Sequence, residues 1–203
     1  MNVRHAPAID HHAAELQPGM AVPVEAFLAW LDTQDGKHEY DRGTVGMMVR
    51  VTANHAKLVW KFVVGLTARL DVDRYQVFSE SFGVRTGGSI RFPDILVQAP
   101  EPDGSALESK TPLVIVEVLS PSTAYTDHVV KRDEYLALFS LQADVVAEAN
   151  APKLTLWARG ADGEFPLAPV EIEGLDATLP LDGLGVELPL AELYRGVSGP
   201  NGG

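Results

Sequence analysis

The chain has 203 residues, 46% hydrophobic and 22% charged, which suits one soluble domain with a sizeable core and short flexible ends. It has no cysteine, so disulfides and thiolate metal sites are excluded, and a reducing compartment fits. The formal net charge is −12, so any nucleic-acid partner requires a local basic groove or metal ions that bridge to phosphate.

No apolar run approaches the roughly 20 residues that cross a bilayer. The leader MNVRHAPAIDHHAAELQPG lacks the basic start and apolar stretch of a signal peptide. The default expectation is therefore a cytoplasmic protein with no membrane partner. Residues 1–20 read as a flexible arm. Its histidines, His5, His11 and His12, suit either a small metal-binding tract or a polar leader.

Residues 21–196 read as a single folded domain. In VPVEAFLAWLDTQDG, Pro23 suits a first helical turn, Phe27, Leu28 and Leu31 recur at helical spacing, and Gly36 is a stop. Residues 37–51 suggest a hairpin turning at Asp41-Arg42-Gly43. A longer helix is expected over 53–70, with Asn54 as cap and Val59, Phe62, Val63, Leu66 and Leu70 in one stripe. Two strands follow at Gln76–Thr86 and Ser89–Gln98, turned by Gly87-Gly88, and then a loop over 99–112.

PLVIVEVLS, residues 112–120, is the clearest buried strand because it is apolar on both faces. SPST breaks it, and a helix is expected over 126–140. DVVAEAN and KLTLWAR read as further strands, DATLPLDGLGVELPLAELY as strand, glycine turn and closing element, and residues 197–203 as a flexible tail. There is no internal repeat. This order implies an α/β fold with a mixed sheet flanked by helices.

Glu117 is the most informative residue. Strand alternation puts it on one face with Leu113, Ile115 and Leu119, where an unpaired ionised carboxylate costs several kcal/mol. A metal, a cationic partner or water at the strand end must offset that. Asp94 follows Pro93, whose missing N–H implies a sheet edge or strand irregularity. Alone it reads as a local turn residue. Together with Glu117 on a neighbouring strand it can hold one Mg²⁺ with waters and phosphate oxygens.

Lys131, four residues after Asp127, reads either as half of a helical ion pair or as a cation delivered over the strand ends. Glu39, Asp41 and His55 are each weak signals alone. Arg42, Lys57, Lys61, Arg85 and Arg91 are the candidate members of a basic strip. Phosphate-loop, HExxH and GxSxG motifs are absent.

The blocks RFPDILV, TPLVIVEVLSPST and DHVVKRDEY, with HEYDRGTV, NHAKL and LPLDGLGVELPLAELY, resemble the Uma-two family of restriction endonuclease-type proteins. That family lies in the PD-(D/E)XK nuclease superfamily, and the likeness runs from about Val22 to Tyr194. It implies a restriction-endonuclease-like core with an extra N-terminal helix and hairpin, and a site for Mg²⁺ or Mn²⁺. Asp94 and Glu117 become the catalytic and metal-holding acids, with Val118 beside them as a further metal-holding position.

Leu119 stands where the superfamily's lysine usually does, and the resemblance implies that Lys131 substitutes. Glu39 matches the upstream acid and His55 a recurrent helix histidine. DVVAEAN departs from the aromatic strand of relatives. The leading functional expectation is a metal-dependent endonuclease hydrolysing phosphodiester bonds in DNA. A catalytically weak PD-(D/E)XK-fold binding or regulatory module and a structural homodimer subunit stand beside it.

Overall fold

A computed structural model describes residues 22–31, 38–47, 51–119 and 125–197. The expected N-terminal arm and the final SGPNGG lie outside them. The chain forms two compact units, Met1–Met48 and Val49–Gly203.

In the N-terminal unit, helix α1 (Val24–Leu31) buries Phe27 and Trp30. Strands β1 (His38–Asp41) and β2 (Thr44–Met47) pair antiparallel. Arg42 (φ 45°) and Gly43 (φ 98°) both take positive φ, the backbone a two-residue turn needs to match strand twist. Tyr40 packs on Phe27 with ring centroids 5.2 Å apart, and its hydroxyl donates to the Val22 carbonyl at 2.7 Å.

The second unit opens with α2 (Ala53–Thr67). Its cap is Thr52 rather than the expected Asn54: the threonine oxygen accepts from the His55 N–H at 3.3 Å. Asn54 instead donates to Asn150 at 2.8 Å. Strands β3 (Gln76–Ser79), β4 (Gly83–Arg85), β5 (Ser89–Arg91), β6 (Ile95–Gln98), β7 (Glu108–Ser109) and β8 (Pro112–Leu119) follow. Then come α3 (Tyr125–Leu136), β9 (Ala143–Glu148), β10 (Lys153–Ala158) and β11 (Val170–Glu173). The chain closes with β12 (Thr178–Leu181), β13 (Val186–Pro189) and α4 (Leu190–Leu193).

Six strands form one mixed sheet in the order β11-β10-β9-β8-β6-β3. Only the β8 and β9 pair in it is parallel, and α3 is the crossover that such a pair requires. The fold class expected from the sequence is therefore the observed one. The two long strands expected at 76–86 and 89–98 are each divided. The first breaks at Glu80, a non-glycine residue at φ 54°, and the second at Phe92-Pro93-Asp94. Pro93 has no N–H to continue a ladder. Their near halves, β3 and β6, pair in the main sheet, while β4 and β5 pair apart from it, with β7 running parallel to β4. Gly83 sits where a Cβ would lie 2.9 Å from Ile90 Cγ2 and 3.2 Å from the Leu107 carbonyl, so this junction admits no side chain.

β8 is covered on both faces. Val114, Val116 and Val118 join the core made with Leu58, Phe62 and Leu66 of α2 and with the closing elements. Ile115 points the other way, into a cluster with Leu96, Tyr135 and Leu141. Each such buried aliphatic side chain contributes roughly 1.5–3 kcal/mol, so the sheet centre is strongly anchored. The expected apolar run at 112–120 thus corresponds to the central strand.

Asp144, on β9 opposite Ile115, is fully buried, and neither carboxyl oxygen has a hydrogen-bond partner among the described residues. Burial pushes its carboxyl up to about 7, opposed only in part by the charge of Arg132. The native state thus retains a proton that the unfolded chain loses above about pH 4. Native stability should fall as pH rises from about 4 to about 7 and stay low above that. Asp144→Asn should be more stable than the parent by roughly 2–4 kcal/mol at pH 8 and nearly equal to it at pH 4. Urea melts at the two pH values check this; an equal difference at both would remove Asp144 as the cause.

Candidate active site

The pairing of Ile95 with Val116, carried one residue further, brings Asp94 opposite Glu117. Strand irregularity at Pro93-Asp94 frees the aspartate to turn its carboxyl onto the β8 backbone. Asp94 Oδ2 accepts the Val118 N–H at 2.7 Å. Asp94 Oδ1 lies 3.1 Å from His55 Nε2, so the imidazole donates to the same carboxylate. One side chain therefore ties the start of α2 to the centre of the sheet.

His55 is 3% exposed, and its Nδ1 has no hydrogen-bond partner among the described residues. Burial alone lowers the imidazole pKa, but the hydrogen bond and charge of Asp94, with the charge of Glu80, outweigh it and leave it raised. The Glu80 N–H points at the Pro93 and Asp94 carbonyls, at 3.3 and 3.2 Å. That contact holds its positive-φ backbone over the Asp94 corner, and strained backbone of this kind recurs at functional sites. One ligand atom each from His55, Glu80 and Asp94 lie within 4.8 Å of one another. The 3.1 Å between His55 Nε2 and Asp94 Oδ1 is a hydrogen bond, and an ion held by both atoms would take the place of its proton. One nitrogen and two carboxylates are a donor set that fits a divalent ion.

Glu117 is 9% exposed, and its Oε1 accepts the hydroxyl of the fully buried Tyr135 at 3.0 Å. Tyr135 belongs to α3, and Lys131 stands one turn earlier on the same helical face, half-buried. Leu119 ends β8, half-buried. Val118 turns its side chain into the core beside α2, so only its backbone faces Asp94. Asp94, Glu117 and the Val118 backbone are thus adjacent. Glu39 lies in β1 of the N-terminal unit. Asp127 lies in α3, with its side chain outside the described set.

The basic strip expected from the sequence does not include Arg85 or Arg91. Arg91 is 3% exposed and grips Glu134 with both sides of its guanidinium, at 2.9 and 3.0 Å. Thr86 donates to the same carboxylate at 3.2 Å. Arg85 is held by Glu108 at 2.7 Å. These arginines brace β4 and β5 against α3 and β7, and Glu134 neighbours Tyr135 on α3. Sequence reasoning passed over Glu80 and Tyr135. An acid inside an expected strand was the available signal for the first. Tyr135 reads as an ordinary apolar helix position.

A mixed sheet crossed by one β-α-β unit, with Asp94 and Glu117 at facing register positions where β6 and β8 adjoin, is a restriction-endonuclease-like arrangement. The model of the Uma2 family, described as "Putative restriction endonuclease", matches residues 24–191, and the chain belongs to that family. It is 24% identical over 177 residues to the uncharacterized protein slr1290 of Synechocystis, spanning 86% of this chain and 92% of that one. The fold is similar to that of an Anabaena variabilis protein whose crystal structure is described as a putative nuclease belonging to DUF820. The TM-score is 0.67 at 16% identity, covering 86% of this chain and 98% of that one.

The buried pair of Arg91 and Glu134 should make α3 sensitive to losing either partner alone. Arg91→Met should destabilise the protein by about 3 kcal/mol, because it strands a carboxylate. Arg91→Met combined with Glu134→Leu should recover most of that loss. Denaturant titrations of the two single variants and the double variant measure the coupling; additive losses would show the pair to be independent.

Proposed function

We propose that this protein is a divalent-metal-dependent endonuclease that hydrolyses phosphodiester bonds in DNA. The observation that carries the reading is the facing register of Asp94 and Glu117 on neighbouring strands, with His55 and Glu80 gathered on the Asp94 side. Asp94, Glu117 and the Val118 carbonyl would hold the ion, with His55 and Glu80 as further donors. When bound, it supplies Lewis acidity, which activates water and stabilises charge on the phosphate. An imidazole among the donors favours Mn²⁺ over Mg²⁺, since Mg²⁺ prefers oxygen ligands alone.

The chain's own residues do the positioning. Tyr135 fixes one oxygen of Glu117 through its hydroxyl. The Val118 N–H fixes one oxygen of Asp94, and His55 orients the second. Lys131 provides positive charge near the scissile phosphate, where negative charge develops in the transition state, in the role left vacant by Leu119. Glu39 is included as the upstream acid, and residues 21–196 are taken to work as one catalytic domain.

Calorimetry with Mn²⁺ should find a site in the parent protein that Asp94→Ala and Glu117→Ala each weaken by at least about 100-fold. Tyr135→Phe should weaken it by about tenfold, as expected for a group that orients a ligand. Lys131→Ala should bind Mn²⁺ normally yet cut plasmid DNA about 100-fold more slowly or worse. Equal Mn²⁺ binding by the parent and both alanine variants would defeat the metal reading. Normal Mn²⁺ binding without cleavage of any DNA by the parent protein would favour the binding module over the enzyme.

A further inference from the structure

The charge on α2 is one-sided in a way that the metal site does not use. Between Ala53 and Leu70 the chain carries Lys57, Lys61 and Arg69 and no acidic residue, although the protein as a whole is at −12. Lys57 and Lys61 lie one turn apart along one ridge of α2, Gly65 takes the next place, and Arg69 follows just past the helix end at Thr67. At 1.5 Å per residue, Lys57 and Lys61 are about 6 Å apart along the axis. The ridge borders an open groove of about 370 Å³ between α2 and α4, to which Arg195 adds a further positive charge.

Of these cations, Arg69 is held by Glu192 at 2.9 Å. Lys57 donates only to the Gly196 carbonyl at 3.1 Å, and Lys61 and Arg195 have no carboxylate partner among the described residues. Alongside the ridge, Trp60 is 64% exposed and Val64 45% exposed, one turn apart on α2. A large aromatic face held in water beside unpaired ammonium groups is a combination that folding alone does not reward.

We propose that this face of α2 is a binding track for single-stranded nucleic acid, with phosphates on Lys57, Lys61 and Arg195 and an unpaired base stacked on Trp60. Local charge complementarity and the exposed ring together select this occupant: the basic ridge attracts phosphates, and Trp60 beside it offers a face on which a base can stack. Stacking on an exposed aromatic needs a base outside a duplex, which favours a single strand. The track rests on the nuclease reading for its purpose. It does not rest on the metal site for its binding.

The test is fluorescence anisotropy of the full-length protein with a labelled oligothymidylate in EDTA, where the metal site plays no part. Binding should weaken with salt, and Lys57→Gln with Lys61→Gln should flatten the logarithmic salt slope by about 1.4, since each single-strand phosphate contact contributes about 0.7. Trp60→Ala should weaken binding by about tenfold, Trp60→Phe should restore most of it, and tryptophan quenching on binding should vanish in both. Unchanged affinity in these variants, with melting temperatures equal to the parent's, would overturn the track. Loss of dimer mass in sedimentation for Trp60→Ala, with oligothymidylate affinity intact, would overturn it in favour of a second copy. Either result leaves Mn²⁺ binding by Asp94 and Glu117 standing, so the two readings fail separately.

Discussion

Asp94 is the residue on which the arrangement turns, because its two carboxyl oxygens are committed to two different elements. One accepts from the β8 backbone at Val118 and the other meets His55 at the start of α2. Hydrogen bonds to a charged group are worth about 1.5–3 kcal/mol each, comparable to burying an aliphatic side chain. Here they do more than add stability. The apolar side chains of α2 would accept small shifts along the sheet, whereas a carboxylate held at both ends does not. The same contact that seats α2 therefore sets the position of the acid pair.

The second fixed point is on the opposite face of the sheet. There α3 reaches β8 through Tyr135 and Glu117, and reaches β5 through Glu134 and Arg91. Adjacent residues on a helix point about 100° apart, so Glu134 and Tyr135 pull α3 toward two different strands. That constrains both its rotation and its distance from the sheet. Asp144 opposes this economy: a carboxyl shut beneath the same region, with no partner to offset its desolvation, weakens the packing at neutral pH. In this strand the chain carries a charge-bearing residue that the fold tolerates chiefly by keeping it protonated.

The sequence was legible where a single physical rule dominated. Near-continuous apolar character at 112–119, interrupted by Glu117, fits a strand buried on both faces, and the structure has that strand there. The helix expected over 53–70 is present over 53–67, and Val59, Phe62 and Leu66 of its expected stripe are buried, with Leu58 beside them. Legibility failed where two rules competed. A threonine and an asparagine both suit a helix cap, and a contact with distant Asn150 decided between them. The division of the long hairpin at Phe92-Pro93-Asp94 was signalled by proline. The break at Glu80 was not, since positive φ is ordinarily announced by glycine. Tyr135 shows the remaining kind of failure: periodicity places a helical residue on an inward face, but nothing local says that its hydroxyl will end beside Glu117. The basic strip failed for a related reason. Arg85 and Arg91 count equally with Lys57 and Lys61 in a sequence, and only packing shows the first two spent on Glu108 and Glu134.

In the proposed reaction the cation comes from a helix rather than from the strand that carries Glu117, and this changes what the fold must guarantee. A lysine at the place of Leu119 would be aimed by sheet register, which cannot drift without moving every side chain on the strand to the other face. A lysine at 131 is aimed by the seating of α3, which packing alone would fix only loosely. The two polar anchors at Glu134 and Tyr135 lie within the turn that follows Lys131, close enough to constrain its approach. The buried ion pair of Arg91 and Glu134 gains little net stability over an apolar pair of the same shape. Its value lies in direction, since a bidentate guanidinium contact accepts one orientation of the helix. A cation relocated from strand to helix thus requires a rigid strut at the helix, and in this protein the strut is present on the residues next in line.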